Sequence, residues 1–390
     1  MIYLDNQATT RVDPRVIEAL LPMLTESFAN SGSITHEDGR QVALMVAEAI
    51  DSIADQLGAS SDEIVITSGA TESNNLALIG YATHPRQTRR KIISCVAEHR
   101  AVLDPLRRLE QSGFEVMLLP VQNNNQSAPG SVDVQQLADA LDEQTCLVSL
   151  MLGNNEVGSL QRLSDIAALC RRYETVLHTD ATQAVGKLPI DVRALDVDLL
   201  SFSAHKFYGP KGVGGLYVRR TPRRIRLNPQ ILGGGQQDNR RSGTLNSPGI
   251  VAMAKALSLC SELADEERPR IAALRDQLFS KLERGIPGLS LNGPRLDDPH
   301  ARLGGNLNCS FLPIEGQSLM MAVPQLAVSS GSACTSSEPR PSHVLRALGL
   351  SDEAARSSLR FGIGRFTTSA EIDQAAEALI AAHQALRKLI

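Results

Sequence analysis

The sequence predicts an α/β protein with a mainly parallel central sheet, and three observations carry that reading. Apolar runs of strand length alternate with stretches of helical period, the order that crossover connections turn into parallel strands. The chain is long, 390 residues with 42% hydrophobic, enough to bury a substantial core and to divide into two domains. Polar residues able to do chemistry fall just after the apolar runs, at the carboxyl ends of the proposed strands, where open α/β sheets bind ligands.

Taken in order, EIVITSGATESNNLALIGYA (63–82) reads as strand, loop and helix, and KIISCV (91–96) and CLVSLML (146–152) as strands. SDIAALCRRY (164–173) reads as a helix, TVLHTD (175–180) and DLLSFS (198–203) as further strands. A helix through GIVAMAKALSLC repeats Ile250, Met253, Leu257 and Cys260 on one face. DEERPR (265–270) then reads as an exposed hinge and a domain boundary. Beyond it, NLNCSF is a strand, and PSHVLRALGL a short helix capped by Ser342 and stopped by Gly349. LRFGIG is a last strand, and a final helix repeats Ile372, Leu379 and Leu386. A large domain over 16–264 and a small α+β domain from 1–15 with 265–390 follow.

The formal charge of −4 offers no general attraction to nucleic acid or anionic membrane. The short basic clusters RQTRRK (86–91) and TPRRIR (221–226) read as solvated surface. No apolar run approaches a membrane span and the amino terminus lacks a signal pattern, so the expected compartment is the cytoplasm. Six cysteines without CxxC or paired Cys/His spacing exclude a disulfide framework and a structural metal site. Cys95, Cys146, Cys170, Cys260 and Cys309 lie in apolar or helical patterns and read as core. Cys334, in VSSGSACTSSEPRPS, has no apolar stripe around it, which points to an exposed thiol put to use.

Strand TVLHTD delivers Asp180, and strand DLLSFS runs into Ser203, His205 and Lys206. A lysine there can form a Schiff base with an aldehyde while an acid holds a pyridinium nitrogen protonated, as pyridoxal 5'-phosphate requires. On spacing alone, a surface lysine at Lys206 and a helix cap at Asp180 are the commoner reading of such residues. SGAT (68–71) follows a strand and opens a helix, so its backbone N–H groups and the Thr71 hydroxyl suit a phosphate. Ser203 and His205 add donors, and His99, just past KIISCV, is placed to lie over the ring and move protons.

YLDNQATT, TSGATESNNLA, AEHRAVL, NNEVG, HTDATQAVGKLPIDV, DLLSFSAHKFYGPKGVGGLYVRR, RSGTLN, LAVSSGSACTSSEP, SHVLRALGL and LRFGIGRFTT resemble, in order, the motifs of the cysteine desulfurases of the NifS and IscS type. The resemblance implies the aminotransferase-like fold type I, a homodimer, and conversion of L-cysteine to L-alanine with sulfur left as a persulfide. It assigns Lys206 to the cofactor aldehyde, Asp180 to the ring nitrogen, His99 to the ring face, Gln183 to the ring oxygen and Asn155 to a place beside the cofactor. Ala70, Thr71, Ser203 and His205 resemble phosphate ligands, with Thr244 arriving from a second subunit. Arg360 resembles the fork that holds the substrate carboxylate, with Asn30 assisting.

Cys334 resembles the thiol that takes the sulfur and hands it to an acceptor protein, an iron-sulfur scaffold or a sulfur carrier. Either His99 or the substrate takes the Cys334 proton. A selenocysteine lyase, an aminotransferase of the same fold, or a scaffold without turnover are the rival readings. The chain departs from the family pattern at FANSGS around Asn30, at GGGQQDN before RSGT and at LGNNEVG. It also ends at Ile390, short of the extension that housekeeping members present to their scaffold, which leaves docking to that scaffold, a more specialised NifS-like role and another acceptor all open.

Overall fold

The computed structural model describes residues 1–330 and 341–389. Twelve strands occur among them: β1 (Ile2–Tyr3), β2 (Ile64–Thr67), β3 (Lys91–Cys95), β4 (Glu115–Leu119), β5 (Thr145–Ser149), β6 (Val176–Asp180), β7 (Leu199–Ser203), β8 (Gly214–Val218), β9 (Ser290–Leu291), β10 (Asn306–Ser310), β11 (Leu326–Ala327) and β12 (Ser358–Gly362). Seven form one sheet in the order β2-β8-β7-β6-β5-β3-β4. The run from β7 to β4 is parallel throughout, while β8 pairs antiparallel with both β2 and β7. The mainly parallel sheet is therefore as expected, and the antiparallel member β8 was not anticipated.

The strands read from the sequence form as short buried runs, because β-branched and aliphatic residues covered on both faces leave no polar alternation. CLVSLML is shorter than expected, since the strand ends at Ser149. Insertion of β8 needs close backbone approach: a Cβ on Gly215 would stand 2.3 Å from the Phe202 ring, and one on Gly214 2.7 Å from Gly69 Cα.

Two apolar clusters cover the faces of the large sheet, with Ile53, Val148 and Leu200 in one and Ile92, Leu147 and Leu199 in the other. A separate core collects Leu4, Leu278, Phe311, Phe361 and Leu379 around the sheet of β9, β10 and β12. All five described cysteines are buried, as their patterns predicted. Ser342 caps the helix His343–Ala347 by accepting from the Leu345 N–H, and Gly349 beyond it has φ +82°.

DEERPR is not a hinge. It lies within the helix Ala264–Gly285, which begins directly after the helix Ser247–Glu262. Asp265, Glu266 and Glu267 occupy the first turn, where acids suit the positive helix end, and Glu267 pairs with Arg365 at 2.7 Å. RQTRRK is also less solvated than expected: Lys91 is buried and pairs with Asp142 at 2.6 Å, and the Arg90 guanidinium lies over the Phe114 ring. No helix among the described residues is long and apolar enough to cross a membrane.

Candidate active site

Parallel β6 and β7 end side by side, so the residues that leave them emerge on one edge of the sheet. Asp180 closes β6. Its Oδ2 accepts from Asn74 Nδ2 at 2.7 Å and its Oδ1 from the Thr182 N–H at 2.9 Å, which fixes the carboxylate plane. Ser203 closes β7, and a single helical turn then places His205 and Lys206. Lys206 Nζ donates to the carbonyls of Gln7 (2.6 Å) and Ala8 (2.7 Å). Gln183 Nε2 donates to the same Gln7 carbonyl at 2.8 Å.

The amino-terminal segment carrying these carbonyls is held by both cores. Asn6 donates to Gly362 O through its backbone and its side chain, and Thr10 donates to His205 O. Gln7 is thus a member of the site through its backbone oxygen, which no residue-type signal announces. Asn74, one turn into the helix after SGAT, carried a readable signal in its spacing from Ala70 and was missed.

The helix Ala70–Ala82 opens at Gly69 with no side-chain cap on its first turn, so its leading N–H groups remain available to an anion. Gly69 has φ +148°, and a Cβ there would lie 3.4 Å from Ser203 Oγ, which brings Ser203 beside the helix end together with Ala70 and Thr71. His205 Nδ1 and Thr9 Oγ1 are 3.1 Å apart, and burial with nearby Lys206, Lys211 and Lys187 pulls the imidazole down to about 4.

His99 caps the helix Arg100–Gln111, its Nδ1 accepting from the Ala101 N–H at 3.0 Å. Burial lowers its pKa, so the ring is neutral at pH 7 and its proton resides on Nε2. The open edge of His99 is therefore a donor. Beside it, the Glu98 side chain is buried and pushed up to about 8 by desolvation, with Oε1 accepting from the Met151 N–H at 2.7 Å.

Arg360 leaves β12 toward the same edge. Its Nη2 meets Asp5 Oδ1 at 2.8 Å, its Nη1 the Asn155 carbonyl at 3.0 Å, and its buried Nε has no partner among the described residues. Asn155 so far contributes its backbone. Neighbouring carbonyls of the same loop are gripped from the other core, Glu156 O by Asn306 and Asn308, and Val157 O by Arg302. Asn30 and Thr244 are both exposed; Asn30 Oδ1 accepts from the Gly32 N–H within its own turn. Cys334 lies outside the described residues, but the described residues on either side adjoin the site. Ser329 exchanges backbone hydrogen bonds with Arg360, Ser342 Oγ donates to Glu156 Oε2, and His343 Nε2 and Glu98 O are 2.9 Å apart.

Residues 2–375 match the family described as aminotransferase class-V, and the chain belongs to that family, whose members depend on pyridoxal phosphate. It is 45% identical over 388 residues to the cysteine desulfurase IscS of Rickettsia conorii, covering 100% of this chain and 92% of that one. It is 48% identical over 380 residues to a mitochondrial cysteine desulfurase of Arthroderma benhamiae, covering 97% of this chain and 73% of the other. A solved NifS-like protein superposes with a TM-score of 0.88 at 35% identity, covering 99% of both chains. Within the class the chain belongs with the cysteine desulfurases.

The residues present suit the cofactor. Asn74 Oδ1, Thr182 Oγ1 and Gln7 Oε1 are buried without a partner among the described residues, and all three belong to side chains gathered around Asp180 and the Gln7 segment. Together with the uncapped helix end, they leave polar capacity that a phosphorylated pyridine would use. Among the described residues no group of His, Cys, Asp and Glu could hold a metal ion.

Proposed function

We propose that this cysteine desulfurase binds pyridoxal 5'-phosphate between Asp180, Lys206 and the Ala70 helix end, takes L-cysteine as substrate, and moves its sulfur to Cys334. The observation that carries the reading is the meeting of Lys206, Asp180 and an uncapped helix end at one edge of the sheet, with Arg360 entering from the second core. When bound, the cofactor supplies an electron sink for the pair on the substrate Cα. Lys206 holds the cofactor aldehyde, Asp180 faces its ring nitrogen, and Ala70, Thr71, Ser203 and His205 receive its phosphate. His99 covers the ring, Gln183 donates to the ring oxygen, and Asn155 and Asn30 border the substrate.

In the sulfur step the Cys334 sulfur bonds to the substrate sulfur as the substrate Cβ–S bond breaks, and the bonding pair goes to carbon. Carbon is reduced and gains a proton to become the alanine methyl, while the two sulfurs become a persulfide. Because the capping bond occupies His99 Nδ1 and leaves Nε2 as a donor, the Cys334 proton passes to the substrate and accounts for the proton gained by the methyl carbon, while His99 donates a hydrogen bond from Nε2. Burial pushes Cys146, Cys170 and Cys309 up to about 12 and Cys260 up to about 11, and raises Cys95 as well, so these five remain protonated.

A homodimer completes the proposal. Leu21, Leu24 and Phe28 are exposed on the segment leading to Asn30, and Thr244 is exposed on a separate loop. A second copy covering that apolar segment would bury Phe28 and supply Thr244 to the phosphate. The final acceptor is a sulfur-accepting protein.

The deciding assay is alanine released from L-cysteine, with a reducing thiol present, by the wild type and by Cys334→Ala. Alanine from the wild type alone supports the proposal, whereas equal release from both removes Cys334 from the reaction. Turnover of selenocysteine with none of cysteine would replace the substrate.

A further inference from the structure

Lys187 belongs to HTDATQAVGKLPIDV, yet neither the sequence reading nor the proposed chemistry gives it a task. It follows Gln183 by four residues, within the turns that continue from β6. Its Nζ donates to Gln183 Oε1 at 2.7 Å, while Gln183 Nε2 donates to Gln7 O at 2.8 Å. Both ends of the amide are therefore assigned. Each partner admits a single orientation, because a lysine nitrogen offers hydrogens and a carbonyl offers lone pairs. The amide nitrogen has two hydrogens and Gln7 O takes one, leaving the other to donate into the site.

The alternative orientation would fail chemically. A flipped Gln183 would turn an acceptor toward an electron-rich ring oxygen, where two lone pairs repel. A donor on Oε1 also polarises the amide and strengthens its N–H as a hydrogen-bond donor. We propose that Lys187 is a positioning residue that acts through Gln183, fixing and polarising the amide so that Nε2 donates to the ring oxygen of the cofactor. This rests on the pyridoxal phosphate reading of the site. Burial, followed by Lys206 and Arg360, lowers Lys187 to about 7, with the Cys260 thiol opposing. Lys187 thus donates to Gln183 in both its charged and its neutral form.

The test is the visible absorption of the protein loaded with pyridoxal 5'-phosphate, titrated with pH. Weakening the donor makes the ring oxygen more basic, so the proton held between it and the lysine-derived nitrogen leaves at higher pH. For Lys187→Met the midpoint of the absorption change is expected to rise by about one pH unit, tenfold in the proton equilibrium. Lys187→Arg, which keeps the donor and the charge, is expected to retain the wild-type midpoint. In a Gln183→Ala background, Lys187→Met is expected to add no shift.

An unchanged midpoint in Lys187→Met overturns the proposal, and so does an equal shift in the Gln183→Ala background, which would show that Lys187 acts without the amide. If Lys187→Met does not fold, Lys187→Ala, which also removes the donor, replaces it: a rise in its midpoint supports the proposal and an unchanged one overturns it. A wild type that shows no visible band after incubation with pyridoxal 5'-phosphate removes the cofactor reading itself, and the proposal with it, which separates the two failures.

Discussion

Gln237 shows how one departure from a family pattern acquires a physical meaning. Its Oε1 accepts from the Ile66 N–H at 2.7 Å and its Nε2 donates to Ile66 O at 2.9 Å, so a side-chain amide pairs with edge strand β2 as a further strand would. A carboxylate could accept there but not donate. Gln237→Glu is expected to lower stability by about 1–3 kcal/mol, the cost of leaving a half-buried carbonyl opposite an acceptor, read from chemical denaturation. Arg360 is equally specific in its geometry, since two of its nitrogens already contact Asp5 and Asn155. Arg360→Lys keeps the charge and loses the fork. Turnover of L-cysteine is expected to fall by about a hundredfold in kcat/KM, with KM bearing most of it; an unchanged KM would remove the residue from substrate binding.

Among the elements, the strand-to-helix turn after β2 carries the most function. The helix Ala70–Ala82 has little one-sided apolar character, with Ser73, Asn74, Leu76, Ala77 and Leu78 all buried, because sheet and neighbouring helix enclose it. Its position therefore comes from packing, and no side chain caps its first turn. Gly69→Ala would place a Cβ at φ +148° against Ser203 Oγ, in a conformation other residues rarely adopt. The expected result is a loss of about 1–3 kcal/mol in stability and weaker retention of pyridoxal phosphate on dialysis, with Gly113→Ala, where nothing lies within 4 Å of the added Cβ, as a control for left-handed strain alone. The helix over DEERPR teaches the converse. Its charged, proline-containing start looks like a linker until Arg365 is brought to Glu267 by the final strand and its turn.

For the whole molecule, buried ionisable groups set the pH range of stability. Glu98, ordinarily near 4.5, is raised to about 8 by burial, so its contribution is full below about 4.5 and is lost as pH rises through about 8. His178, buried between Ser149 and Ser201, is lowered from 6.5 to about 4, so its contribution is present above 6.5 and is lost as pH falls toward 4. Glu98→Gln is expected to flatten the fall in denaturation midpoint of the wild type between pH 5 and 8. Equal slopes for the two proteins would mean that Glu98 titrates as an ordinary carboxylate.

Much was legible before the fold was seen. Strand-length apolar runs, the capped helix at Ser342 and the five buried cysteines follow from local patterns that survive any packing. Asp180, Ser203, His205 and Lys206 were readable because strand ends in parallel sheets face one edge, so sequence position implies place. Gln7, Lys187 and the Asp5 partner of Arg360 were not, since each acts through a contact between distant segments: a backbone carbonyl, an amide held from behind, an ion pair spanning the two termini. The antiparallel β8 and the helical DEERPR belong with them. By itself the sequence determined the element types, the thiols that stay buried and the residue types the chemistry needs. Tertiary structure alone decided which oxygen faces which nitrogen, because hydrogen-bond direction depends on orientation in space and no local pattern encodes it.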